Sequence, residues 1–168
     1  MSKEQKAMPD PKVSLLLDLI DQAFDHRAWH GTNLRGSIRG LRVEDVTWRP
    51  APSRHNIWET VVHAAYWKYI VRRRILSEAR GSFSLEGSNW FVRPAEGKST
   101  EADWKSDVKL LVEAHRGMRT AVTGMTDAQL KITPKGSKVS NAAIIMGIAS
   151  HDLYHAGQIQ LLKKLGRG

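Results

Sequence analysis

The sequence predicts an all-α protein: a four-helix bundle with long connections. Three observations carry this expectation. Apolar residues recur at helical spacing in four stretches of the chain. Helix start and stop residues bracket each stretch. No stretch alternates as a half-buried strand would, and no internal repeat is present. A length of 168 residues suits one domain with its own core. We expect residues 12–166 to form that domain and residues 1–11 to be a short disordered tail. The connections run to about 15 residues each, too long to impose antiparallel neighbours, so a crossover topology is open.

The first helix is expected to start at Asp10-Pro11, because Asp caps well and Pro is tolerated at the first helical position. Leu15, Leu16, Leu19, Ile20, Ala23 and Phe24 supply its apolar stripe. The pattern fades over Ala28 to Gly31. Gly31 can end or kink the helix, and Thr32 or Asn33 can cap a continuation through Leu34, Ile38 and Leu41. Residues 40–55 read as a connection, with Pro50, Pro52 and a Trp48 packed onto the bundle. The second helix has a capping-box start, Asn56 with Glu59 three residues on. It runs to residues 76–79, ahead of Gly81, and carries His63 among apolar neighbours.

Residues 81–99 form a long polar connection, and Trp90 and Phe91 are expected to anchor it over a site. Ser99 or Thr100 caps the third helix, where Glu101 and Asp103 complement the helix dipole. Its apolar face includes Trp104, Val108, Leu111, His115, Met118 and Val122, and Gly124 ends it. After a connection with Pro134 and Gly136, Ser140 or Asn141 caps a fourth helix that runs to Leu165.

Composition narrows the function. No apolar run reaches the roughly 18 residues that cross a membrane. The N-terminus shows no signal region and the chain has no cysteine, so a cytoplasmic location is expected. Thiol chemistry would need an external thiol, and a metal site would need His, Asp or Glu. The net charge is +9, which suits nucleic acid or an anionic small molecule. The densest basic run, Lys68 to Arg74, reads as a solvated helix face. No recognition helix, RNA-binding motif or zinc-finger spacing accompanies it. A nucleic-acid-binding or stress-response interaction module therefore ranks below an enzyme. A metal-binding bundle without turnover is a further alternative.

The chemistry concentrates on His151 and His155. They stand four apart on a stripe with Ile144, Ile148, Gln158 and Leu162. They are either hydrogen-bonded core histidines or two ligands of a metal. His63, on the second helix, could complete a three-nitrogen set. Three neutral imidazoles and an open position are the arrangement of a catalytic divalent cation. Such a cation would turn a thiol or water into a nucleophile near neutral pH. Gln158, Glu59 and Tyr154 are candidate supporting or substrate contacts, and otherwise ordinary polar edge residues. Arg72, Arg73 and Arg93 are candidates to receive an anionic substrate. His26 and His30, flanked by charge, read as surface; His115 reads as a core-edge histidine or a supporting group.

Two segments carry a resemblance, Asn56-Ile57-Trp58-Glu59-Thr60-Val61-Val62-His63-Ala64-Ala65-Tyr66-Trp67 and His151-Asp152-Leu153-Tyr154-His155-Ala156-Gly157-Gln158-Ile159. The chain resembles the DinB-like (YfiT-like) superfamily of metal-dependent four-helix bundles over residues 12–165. Ala28-Trp29-His30-Gly31 and Trp48-Arg49-Pro50 are similar to family segments as well. The resemblance implies a divalent metal, often nickel or zinc, held by His63, His151 and His155. It implies frequent homodimers. It also implies a small-molecule substrate and relatives that act as transferases or isomerases with low-molecular-weight thiols such as bacillithiol or mycothiol.

Overall fold

The computed structural model describes residues 10–79, 81 and 83–167. Among these residues the chain forms α-helices and no strand. In chain order they are α1 (Pro11–Phe24), α2 (Leu34–Ser37), α3 (Val43–Thr47), α4 (Ile57–Ile75), α5 (Glu101–Thr123), α6 (Asp127–Lys131) and α7 (Asn141–Leu165). The four long ones make the bundle. The expected tail lies outside the described residues up to residue 9, and Pro11 is already the first residue of α1.

The long helices start where side chains replace missing backbone partners. Asp10 accepts from the Lys12 N–H. Asn56 and Glu59 form a reciprocal capping box, as do Thr100 and Asp103. Ser140 accepts from the Ala143 N–H. Each such cap contributes about 1 kcal/mol. Two expectations needed correction in α1. It ends at Phe24, earlier than the fading of the pattern suggested, where the Asp25 and His26 N–H groups both donate to the Asp21 carbonyl. Its buried stripe is Val13, Leu16, Leu17, Ile20, Ala23 and Phe24, while Leu15 is 70% exposed. Asp21 shares the buried face because Arg119 donates twice to its carboxylate, at 2.7 Å each, and that rotates the stripe. The short helices α3 and α6 fall inside connections, since five residues are too few to show a period.

Contacts between residues set the topology. Asp21 meets Arg119 and Phe24 stacks on His115, while Lys12 near the start of α1 meets Asp127 beyond the end of α5. Helices α1 and α5 are therefore antiparallel. His63 meets His151 and His155, and Lys68 meets Asp152, so α4 and α7 are also antiparallel. Trp58 bonds Asp107, and Arg72 lies against Gly117, so α4 and α5 run parallel. Joining two parallel helices takes a connection as long as the helix itself. That is the physical reason for the length of the loop after α4. It returns along α4, with Phe83 against Tyr69, Asn89 against His63, and Arg93 against Asn56. The order is up, down, down, up, with α1 packed on α5 and α7 and α4 packed on the same two. The crossover left open by the sequence is the loop between α4 and α5.

The core is divided. One apolar cluster joins α1 to the C-terminal half of α4, the C-terminal half of α5 and the first half of α7. A second gathers α2, α3 and the N-terminal halves of α4 and α5, with Ile159. Between them lies a polar layer to which each long helix gives one buried residue: Asp21, Lys68, His115 and Asp152. Lys68 was expected on a solvated face and is instead fully buried, its ammonium bonded to Asp152. No helix among the described residues is long and apolar enough to cross a membrane.

Candidate metal centre

His63 projects from α4 one turn after the capping-box residue Glu59, and His151 and His155 from the middle of α7. The antiparallel packing of these two helices brings the three rings together. One nitrogen of each lies within 4.8 Å of the others. The Nε2 of His151 is 3.1 Å from the Nε2 of His63 and 3.1 Å from that of His155.

The far side of two rings decides which nitrogens point inward with a lone pair. His63 donates its Nδ1–H to the Asn89 carbonyl at 2.8 Å, and His155 donates its Nδ1–H to the Gln158 amide oxygen at 2.7 Å. A carbonyl only accepts, so both Nδ1 atoms carry the proton and both Nε2 atoms are bare acceptors. His151 can offer one Nε2–H to at most one of them at a time, and its buried Nδ1 has no partner among the described residues. A cation satisfies all three inward nitrogens at once. Imidazoles bound at about 2.0–2.1 Å from a tetrahedral cation stand roughly 3.3 Å apart, close to the spacing seen here. The donor set therefore fits a divalent metal ion.

Burial keeps the imidazoles neutral. It pushes His155 down to about 4, with Gln158 opposing and His63 and Lys68 assisting. It pushes His151 down to about 3, assisted by His155, His63 and Lys68. His63 is lowered by burial against the opposing bond to Asn89. Protons compete with a metal only when they would otherwise occupy the nitrogens. An ordinary imidazole loses affinity below its pKa of about 6.5. Here protons should take the nitrogens of His155 and His151 only as pH falls to about 4 and about 3, and that of His63 only below the ordinary imidazole range. We expect zinc affinity, measured against a competing chelator, to fall less between pH 7 and pH 5.5 than three ordinary imidazoles would give. A loss of several-fold per histidine over that range would show ordinary imidazoles.

The loop between α4 and α5 closes over this centre. Trp90 stacks on His63 with centroids 3.9 Å apart and on His55 at 3.6 Å, a three-ring sandwich. Phe91 is buried against Tyr66 and Phe83. Both anchors expected from the sequence thus hold the loop. Asn89, which the sequence reading missed, has φ of 63°. Its carbonyl orients His63 while its side-chain oxygen accepts from Trp67 Nε1–H at 2.9 Å. The missed signal was local, since Asn is the non-glycine residue most suited to left-handed backbone. Asn89→Ala should cost about 1–2 kcal/mol through backbone strain and weaken zinc binding roughly tenfold by freeing His63. Asn89→Gly should retain most of the affinity; melting curves and zinc titrations of both variants check this.

The other candidates separate. Gln158 supports His155 directly. Glu59 is not at the three nitrogens but under the loop. It takes both Arg49 amino groups (2.6 and 2.8 Å), His55 Nδ1 (3.0 Å) and the Arg93 N–H (3.3 Å). Burial would raise its carboxyl, but these donors bring it down to about 2. Tyr154 is 64% exposed, its ring edge-on to His155 at 5.2 Å. His26 and His30 are on the surface as expected. His115 is in the core, stacked on Phe24 and away from the triad, with its pKa pushed to about 2 by burial and by Lys68. The arginines do not gather here. Arg93 is held by Asp107 at 2.8 Å and Arg72 by Glu78 at 2.7 Å. Arg72 and Arg73 lie nine and ten residues beyond His63, about 14 Å along α4.

No curated protein and no solved structure matches the chain significantly. A family model does match, over residues 26–159, which includes all three histidines and the loop that covers them. By that match the chain belongs to the DinB superfamily.

Proposed function

We infer that the chain is a divalent-metal-dependent enzyme. In this reading His63, His151 and His155 hold the cation, and a small external thiol or a water is the nucleophile. The observation that carries it is the convergence of three Nε2 atoms, two of them stripped of their proton by bonds to Asn89 and Gln158. Zinc or nickel suits a set of neutral imidazoles. Bound there, such a cation supplies Lewis acidity that lowers the pKa of a thiol or water.

The residues of the chain do the rest. Burial holds the three rings neutral, hence available as donors. Asn89 and Gln158 fix the ring orientations, a support that typically governs metal affinity by 10- to 100-fold. Trp90 covers one face of His63 and keeps water from that side. His151 is the half-buried member of the three. The open side is thus the His151 side, where Trp67 offers aromatic surface to an entering molecule, while the exposed Tyr154 stands beside His155. The chain has no cysteine, so a thiol nucleophile must come from a co-substrate.

Cobalt-substituted protein tests this directly. Three imidazoles with an open position should give the intense visible bands of low-coordinate cobalt. Adding a small thiol should then add a sulfur-to-cobalt charge-transfer band. Weak six-coordinate bands that ignore added thiol would defeat the thiol reading.

A further inference from the structure

The buried pair of Lys68 and Asp152 joins α4 to α7 in the same stretch that carries the three histidines. Asp152 follows His151 directly, and Lys68 stands five residues after His63. Both residues are almost wholly buried, 0% and 1% exposed. Burying two charges together gains little over a well-packed apolar pair, so stability does not explain them. Register does. Both α4 and α7 present apolar surface above and below this level, and apolar surfaces tolerate repacking after small slips. A slip by one residue moves a helix by about 1.5 Å, enough to spoil three nitrogens that must meet at one point. The inward Nε2 atoms cannot hold the register themselves without a cation, because at least one contact between them lacks a proton.

We propose that the Lys68–Asp152 pair is the positioning device of the three-histidine centre: it fixes α4 against α7 so that His63 meets His151 and His155 before any cation arrives. The surroundings agree. The Lys68 ammonium is confined on its other side by the face of Phe24, 4.9 Å from the ring centroid, and Phe24 in turn stacks on His115 of α5. Among the described residues Asp152 is the carboxylate that the ammonium hydrogen-bonds, and Phe24 leaves it little room to choose another. This inference rests on the metal reading for its purpose, but the tie can be tested apart from it.

The test replaces both charges at once, Lys68→Met with Asp152→Leu, which removes the tie and leaves no buried charge behind. Two readouts are taken. Spin labels at Arg74→Cys on α4 and Met146→Cys on α7, both exposed positions in a chain without other cysteines, report the interhelix distance in metal-free protein. Zinc titration reports affinity. The double variant should melt close to the parent, yet its distance distribution should broaden or shift by about 1.5 Å, and its zinc affinity should fall about tenfold or more. An unchanged distance with affinity within twofold overturns the proposal. If the parent itself binds no zinc, the three-histidine reading fails while the distance still judges the tie. Should the double variant not fold, Lys68→Met with Asp152→Asn also leaves no buried charge and keeps the volume of the aspartate; the same change in distance and tenfold loss of affinity are expected, and an unchanged distance with affinity within twofold overturns the proposal.

Discussion

His151→Ala is expected to yield folded protein that has lost its cation. Of the three rings, His151 makes both 3.1 Å nitrogen contacts and is the least buried, and its Nδ1 bonds nothing among the described residues. Its removal therefore withdraws at most the single Nε2–H that it offers to His63 or His155. His63 and His155 keep their bonds to Asn89 and Gln158. In metal-free protein the substitution also relieves the crowding of lone pairs, so the melting temperature should stay level or rise. A core histidine would behave in the opposite way, losing stability with no effect on metal. Parent protein purified without chelator or affinity tag should carry about one divalent ion per chain, by elemental analysis. Saturating zinc, at about 1,000 times Kd, should stabilise the parent by about 4 kcal/mol. The variant should carry almost none and gain almost nothing. Full metal content in His151→Ala would sink the assignment.

What the sequence showed and what it hid follow one division. Features written within four residues were legible. The Asn56–Glu59 capping box, a cap at Ser99 or Thr100 and the pair His151–His155 all came from local spacing, and the fold has the box, the cap at Thr100 and the pair. Features that depend on packing between distant segments were not. Lys68 carries the same charge as Arg72, Arg73 and Arg74, and only its partner 84 residues away shows that it is inside. The same holds for Asp21, whose pairing with Arg119 over 98 residues turned the buried stripe of α1 away from Leu15. Asn89 looked like one polar residue in a polar loop, until the loop proved to run back along α4 beside His63. Arg93 illustrates the converse error: a basic residue near the site looked available, but Asp107 neutralises it.

Lys68→Ala should be the most damaging single substitution in the bundle. The carboxylate of Asp152 is 1% exposed, and its second oxygen has no partner among the described residues. Burial drives its pKa up to about 6 even with the lysine opposing the shift. Without Lys68 the carboxyl must either stay charged in an apolar core or take up a proton near neutral pH. Breaking a buried pair on one side costs about 3–5 kcal/mol, and the cavity left by the lysine stem adds to it. For a chain of this size the melting temperature should fall by roughly 6–20 °C, at about 2–4 °C per kcal/mol. The sign of the pH dependence is fixed. Asp152 in the variant has a folded pKa well above its unfolded value near 3.9. The protonated form is then the one the fold favours, so the variant's deficit relative to the parent should narrow from pH 7.5 toward 5.5, as followed by thermal melts at each pH. Parent and variant share His115, His151 and His155, which are held neutral in the fold and protonate on unfolding below about pH 6.5, so both lose stability over this range. A shallower acid loss in the variant, so that its gap to the parent narrows toward pH 5.5, would identify Asp152 as the charge that Lys68 neutralises. Parallel slopes would mean that the core adjusts around the carboxylate without it.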